Sequence, residues 1–423
     1  MSEQPAKFDA SYEWKAVLLL FLGFGLVGLD RWIIGPLFPA MMKDLGFNYQ
    51  DLGNAAGALA LAWGAFSMIM GNLSDRFGRR KILIPSLIVF SAMSGLSGLI
   101  WTVPALIAIR AVMGATEGAF LSTSVACTGE ASHPKRLGFN QGLQLSSFSL
   151  LGLGLGPIIA TQLLGVVPSW RWVFVIVAIP GFLLAICLFR IIREPPHLQS
   201  REARAAQPPL PWKRAIKNRN VILAMIGLLC GMSCIFVLGT MIPSYLVDYV
   251  KLSAEQMGFV MAGLGIGGFI GGILLPAASD FFGRRLSAAV GFFAAAVSLF
   301  LFTRTGAEPG WLFVFLFGTS FFGSGVLSLL TGPVATEAVP PALAASAIGI
   351  VSGAGEFFGG GIGPVIAGHV AEQYGIGKVP LVSLVGLCLG IFVSLLIRET
   401  APRKAGAAAE LTQPGAAADA QQG

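Results

Sequence analysis

Charge is scarce in this sequence. Only 12% of its 423 residues are Asp, Glu, Lys or Arg, about half the share of a soluble globular domain, while 55% are apolar. That balance excludes an ordinary water-soluble fold. The three histidines, His133, His197 and His369, are too scattered for a metal centre or a catalytic relay. The five cysteines (Cys127, Cys187, Cys230, Cys234, Cys388) all fall inside apolar runs, which argues against a disulfide framework. Cys230 and Cys234 share a helix face, yet two thiols without other soft ligands make a poor metal site. No Gly-x4-Gly-Lys-Ser/Thr phosphate loop, Gly-x-Ser-x-Gly elbow or His-Glu-x-x-His pair occurs, so neither ATP hydrolysis nor a hydrolytic enzyme is expected, and no metal or cofactor. A cleavable leader is not expected either. The first apolar run begins near Val17, is far longer than a signal core and lacks a small-residue cleavage site.

What is present in abundance is apolar length. Stretches of roughly 20 residues recur from Val17 to Ile397, each able to cross a hydrocarbon core of about 30 Å as a helix. Twelve helices are expected, at about 14–42, 50–73, 81–102, 104–131, 137–165, 172–193, 220–248, 255–277, 285–304, 310–338, 342–372 and 378–397. The chain therefore reads as an all-α membrane protein with the lipid bilayer as its solvent. Its 55 glycines lie inside these runs, where small residues let helices approach closely. Gly152-Leu-Gly154-Leu-Gly156-Pro157 looks like a nucleotide loop but sits in an apolar helix, so packing and a kink are expected there. The 31 Phe and 8 Trp are mostly core or lipid-facing by the same reasoning.

The net charge of +7 invites a nucleic-acid reading, which charge placement removes. With the N-terminus in the cytoplasm, 21 of the 28 Lys and Arg fall on that side, five fall outside, and Arg31 and Arg110 lie within helices. The excess orients the protein, both termini inside, in a plasma (inner) membrane, and no nucleic acid is needed to explain it.

Pro195-Pro196, Pro208, Pro209 and Pro211 interrupt the apolar pattern among basic residues. This divides the chain into an N-tail (1–13), a six-helix half (14–193), a linker (194–219), a second six-helix half (220–398) and a disordered tail (399–423). The halves repeat. Gly71-Asn-Leu-Ser-Asp75-Arg76-Phe-Gly78-Arg79-Arg80-Lys81 is echoed by Asp280-Phe-Phe-Gly283-Arg284-Arg285, offset by 205. Glu130, Pro134, Gly142, Gly152, Gly154 and Gly156-Pro157 match Glu337, Pro341, Gly349, Gly359, Gly361 and Gly363-Pro364, offset by 207.

On these residues the sequence resembles the major facilitator superfamily over about 14 to 398. The resemblance implies two six-helix lobes related by a pseudo-two-fold axis along the membrane normal, a substrate site at the midplane between them, and a monomer. The basic loops make physical sense: Gly78 suits a sharp turn, Asp75 can face a positive helix N-terminus, and Arg79 can fork onto a carboxylate. Glu130 and Glu337 are the expected partners of the two loops. Together Gly71, Asp75, Arg76, Gly78, Arg79, Glu130, Asp280, Arg284 and Glu337 form a candidate cytoplasmic gate, although a purely topogenic basic loop would look similar.

Ionisable residues inside the membrane carry the functional signal. Asp30 and Arg31 in helix 1, Arg110 and Glu117 in helix 4 and Glu356 in helix 11 each cost about 2.5–3.5 kcal/mol at the bilayer centre without a partner or a wet cavity. Arg110, Gly114, Glu117 and Gly118 form one stripe, expected to face the lobe interior. The first four could merely neutralise one another. Glu356 has no basic partner deep in its own half, and its repeat counterpart is Ser149, so it could carry a proton or sit neutral in the core. Trp32 follows the Asp30-Arg31 pair and Phe357 follows Glu356, suggesting an aromatic-lined cavity.

Asp-Arg in helix 1 with Arg-x6-Glu in helix 4 is similar to the organic-anion/proton symporter branch of that superfamily. The resemblance implies that Asp30 and Glu117 exchange protons while Arg31 and Arg110 attract a carboxylate, giving proton-coupled uptake of a sugar acid or aromatic monocarboxylate. Glu356 departs from the branch. The same charges also resemble the spinster-like branch, so an exporter of amphipathic compounds or lysolipids is the rival. Drug/proton antiport is less favoured, because Ile158 to Thr161 replace the Gly-Gly extension after Pro157.

Overall fold

In this computed structural model the described residues are 9–133, 136–194, 216–339 and 344–401. They form twelve long helices: α1 Ala10–Leu45, α2 Tyr49–Phe77, α3 Arg79–Leu99, α4 Val103–Ala131, α5 137–166, α6 Trp170–Ile191, α7 Arg219–Tyr249, α8 Ala254–Phe282, α9 Arg284–Arg304, α10 Pro309–Glu337, α11 344–374 and α12 Ile376–Leu395. Eleven of them are long and apolar enough to cross a membrane. The chain is a multi-pass membrane protein. The expected helices are present with ends shifted by a few residues.

Local chemistry repeats between the halves. Asn48 opens α2 in a capping box, exchanging 2.9 Å bonds with Asp51, and Ser253 opens α8 with Gln256 at 3.1 Å. The basic loops turn out to be joints of one residue. Helix α2 runs on to Phe77 and α3 starts at Arg79, with only Gly78 (φ 105°) between; Gly283 (φ 96°) does the same between α8 and α9. That backbone region favours glycine, so the turn needs no loop. In both α5 and α11 the backbone widens to a π-helical stretch, Phe148–Leu155 and Gly355–Ile362, again 207 apart. Such π-bulges are among the recognised causes of helix kinks.

The helices sort into two lobes. In the first, Gly114 and Gly118 of α4 lie against the backbone of Leu59 and Trp63 on α2. In the second, Gly263, Gly267 and Gly271 of α8 lie against the carbonyls of Phe313, Phe317 and Phe321 on α10. Between lobes α5 meets α8 at Gly154 and Gly265, where a Cβ on Gly265 would fall 1.9 Å from the Gly154 nitrogen. Helix α2 meets α11, with Gly53 against Pro364.

One face carries the Arg79, Arg136 and Arg284 ends of the helices and is called here the basic face. At the far face the lobes are closed together. Tyr49 donates to Asp248 at 2.9 Å, and Gln50 donates to the Val365 carbonyl at 3.4 Å, both across the boundary. The expected N-tail, linker and C-tail lie mostly outside the described residues, with two corrections. Helix α1 already begins at Ala10, and Glu399, Thr400 and Ala401 are held in place rather than loose, because Glu399 accepts backbone N–H groups.

Candidate functional site

Pro36 cannot donate to the carbonyl four residues back, and α1 breaks its helical pattern at Ile33. Asp30, Arg31 and Trp32 sit directly before the break, all buried. Arg110 reaches this point from α4: its Nη1 donates to the carbonyls of Asp30 (3.2 Å) and Arg31 (3.4 Å). Asp30 Oδ1 accepts from Ser94 of α3 at 2.8 Å. Glu117, two turns along from Arg110, is fully buried as the stripe predicts.

Arg31 points across to the other lobe. Its Nη2 lies 3.2 Å from Oε2 of Glu356, and its guanidinium carbon sits 4.0 Å from the ring centre of Trp63 and 4.4 Å from that of Phe236. The expectation that Glu356 lacks a basic partner is therefore corrected. Its partner comes from the first half, because α1 and α11 face each other across the boundary. Packing against ring faces leaves a guanidinium its in-plane donors. Several stay unused: among the described residues, Nη1 of Arg31, Nε and Nη2 of Arg110 and both oxygens of Glu117 have no hydrogen-bond partner. Buried arginine donors can hold an anion, and the carboxyl groups beside them can exchange a proton.

Trp32 joins this set, edge-on to Phe236 with centroids 5.2 Å apart. Phe357 does not. It is 42% exposed and pairs with Phe358 instead.

The candidate gate divides by lobe. Arg79 forks onto Glu130 (2.8 and 3.1 Å to Oε1) and its Nη1 donates to Ser74 at 2.6 Å. Arg284 repeats this with Glu337, at 2.7 Å to Oε1, and pairs with Asp280 at 2.6 Å. The side chains of Asp75 and Arg76, and the surroundings of Gly71, lie outside the described residues. The N-terminus of α3 is capped by Glu194, which accepts from the backbone of Arg79 (2.9 Å) and Arg80 (3.1 Å). Glu399 does the same for α9. Both went unnoticed in the sequence, although Ile192-Arg193-Glu194 and Ile397-Arg398-Glu399 keep the 205 offset. Burial penalises the Glu399 carboxylate, but backbone donors from Ala401, Arg284, Arg285 and Thr400 outweigh it and hold the pKa below the ordinary value. Also unnoticed were Trp63, Phe236 and Ser94, which carry no signal separating them from core residues.

Comparison with known proteins agrees with this architecture. Residues 20–364 and 248–418 match the family model of the Major Facilitator Superfamily. A hexuronate transporter of Bacillus subtilis is 25% identical over 401 residues, covering 90% of this chain and 93% of its own. A 4-hydroxybenzoate transporter, PcaK, of Pseudomonas aeruginosa is 25% identical over 310 residues, covering 64% and 67%. A bacterial homolog of the human lysosomal transporter Spinster, solved inward-facing and unoccupied, superposes with a TM-score of 0.75 at 18% identity, covering 92% and 97%. The nucleoside transporter NupG superposes at 0.76 with 15% identity, covering 91% and 99%. These two likenesses concern the fold alone.

Proposed function

The chain belongs to the major facilitator superfamily, and from that premise we propose that it takes up a small organic monocarboxylate together with protons by alternating access. It is a transporter, not an enzyme. Organic anions are the cargo class, in keeping with relatives named for hexuronate and 4-hydroxybenzoate. The observation that carries the reading is the pair of buried arginines, Arg31 and Arg110, with unused donors beside Asp30 and Glu117. A fixed cation at this depth attracts an anion, and an adjacent carboxyl can be neutralised by a proton as the anion arrives.

The proposed cycle begins with Glu117, Asp30 or both taking protons from outside. The substrate carboxylate then meets Arg31 or Arg110, the lobes rock, and release follows on the basic face. We place that face and both termini in the cytoplasm, on the excess of Lys and Arg there, and the protein in the plasma membrane as a monomer. Arg79 with Glu130, and Arg284 with Asp280 and Glu337, serve as the gate of that face.

Arg31→Ala tests the anion reading against the rival. Proteoliposomes are offered labelled D-glucuronate, benzoate and lysophosphatidylcholine. Loss of uptake of an acid in the variant supports the proposal; acid transport preserved in Arg31→Ala, or movement of the lysolipid alone, overturns it.

A further inference from the structure

The contact between Arg31 and Glu356 differs from the other ion pairs among the described residues. Arg79 with Glu130, Arg136 with Glu13, Arg171 with Asp44, Arg193 with Asp9, and Arg284 with Asp280 and Glu337 each stay inside one lobe. Arg31–Glu356 joins the lobes, and it does so while the far face is closed. The carboxylate touches Nη2 alone, on a guanidinium packed against the rings of Trp63 and Phe236, and among the described residues leaves Nη1 free. An incoming carboxylate that bonds Nη1 and Nη2 together would need the Nη2 that Glu356 holds.

We propose that Glu356 is a tethered competitor for the substrate: its carboxylate holds Arg31 when the site is empty, and the substrate's carboxylate replaces it once Glu356 takes a proton. The inference rests on the monocarboxylate reading and adds a specificity element and a lobe latch to it. Two carboxylates cannot share one edge of a guanidinium without strong repulsion, so occupancy by substrate and ionisation of Glu356 exclude each other. On the releasing side, loss of that proton lets Glu356 reclaim Arg31 and expel the anion. One proton thus travels on Glu356 with each substrate, beyond any carried by Glu117 or Asp30.

The surroundings suit this role. The ionisable groups near the pair are Asp30 on α1 and Arg110 and Glu117 on α4. Helices α2 and α7 meet α11 through Leu61, Met232 and Phe236, and Cys234 of α7 is bonded towards Ser383 instead. Gly360, beside Glu356, leaves room for it: a Cβ there would come 3.1 Å from Oε2.

The test uses purified full-length protein. Binding of benzoate and of D-glucuronate is measured at pH 5.5 and 7.5 for wild type, Glu356→Gln and Glu356→Asp. Alongside, the far-face distance is read by spin labels at Lys43→Cys and Glu255→Cys, both exposed, in a Cys187→Ser, Cys388→Ser background. The expected result is binding at pH 7.5 at least tenfold tighter in Glu356→Gln than in wild type, with the pH dependence reduced. The variant should also open the far face more at pH 7.5 without ligand, while Glu356→Asp keeps the wild-type pH response. If wild type binds an acid and Glu356→Gln binds it no tighter with unchanged pH response, the competitor role is overturned and the transport reading stands. If neither acid binds to any form yet the far face opens in Glu356→Gln, the latch is supported and the monocarboxylate reading falls.

Discussion

Glu194 and Glu399, 205 residues apart, hold the same position in the two lobes, each accepting the backbone N–H groups of the first two residues after a glycine joint. The orphan donors of a helix start are thereby satisfied by a carboxylate supplied from the end of α6 or α12. The joint, the basic pair and the cap recur as one unit, so each lobe builds its basic end from its own residues.

Removing this cap should weaken the basic end of its lobe. Glu399→Gln is expected to lower stability by about 1 kcal/mol, read as a drop in melting temperature in detergent. The pH dependence has a definite sign. The Glu399 pKa is depressed on folding, so its contribution is present above the unfolded value and is lost as pH falls through the folded one. Wild type should lose stability on acidification over that range, and the difference from Glu399→Gln should shrink.

Arg79→Lys keeps the charge but cannot reproduce a fork onto Glu130 together with a bond to Ser74. A loss of roughly 1–3 kcal/mol in stability is expected, with slower transport, and Arg284→Lys should behave alike in the second lobe. Equal melting temperatures for wild type and both variants would remove the forked geometry as the reason for arginine.

Tyr49→Phe deletes the bond to Asp248 that spans the lobes at the far face. A hydrogen bond of this kind is worth about 0.5–1.5 kcal/mol, so the far-face-open population should rise roughly twofold to tenfold. The distance between spin labels at Lys43→Cys and Glu255→Cys measures it. An unchanged distance distribution would mean the bond contributes nothing to closure.

Gly265→Ala places a methyl group where the Gly154 backbone lies. Backbone cannot give way as a flexible side chain can, so α5 and α8 must separate. The variant should fold, bind substrate and fail to turn over. Normal turnover would show that this close approach is not needed in the cycle.

Much of this architecture was legible in the sequence because two physical patterns are loud. Membrane spans announce themselves by length, and the ungapped offsets between Asp75 and Asp280 or Glu130 and Glu337 reveal the halves. Charges at mid-helix depth pointed to Asp30, Arg31, Arg110, Glu117 and Glu356, and the fold brings Asp30, Arg31 and Arg110 into contact with one another and Arg31 into contact with Glu356. What stayed hidden depends on the pairing of lobes. The partner of Glu356 lies 325 residues away, and a search within its own half could not find it. Trp63 and Phe236 look like any core aromatic until the boundary places them around Arg31. The loop reading of Gly71 to Lys81 failed for a local reason: one glycine at positive φ turns the chain without ending the helix early.

In the proposed cycle a buried carboxyl couples an acid to the proton gradient. Uptake of labelled D-glucuronate and benzoate into proteoliposomes, with and without an inward proton gradient, compares wild type with Glu117→Gln. Wild type should accumulate the acid when the gradient is present, and the variant should exchange the acid without accumulating it. Accumulation by Glu117→Gln at the wild-type level, or no response of wild type to the gradient, would contradict that coupling.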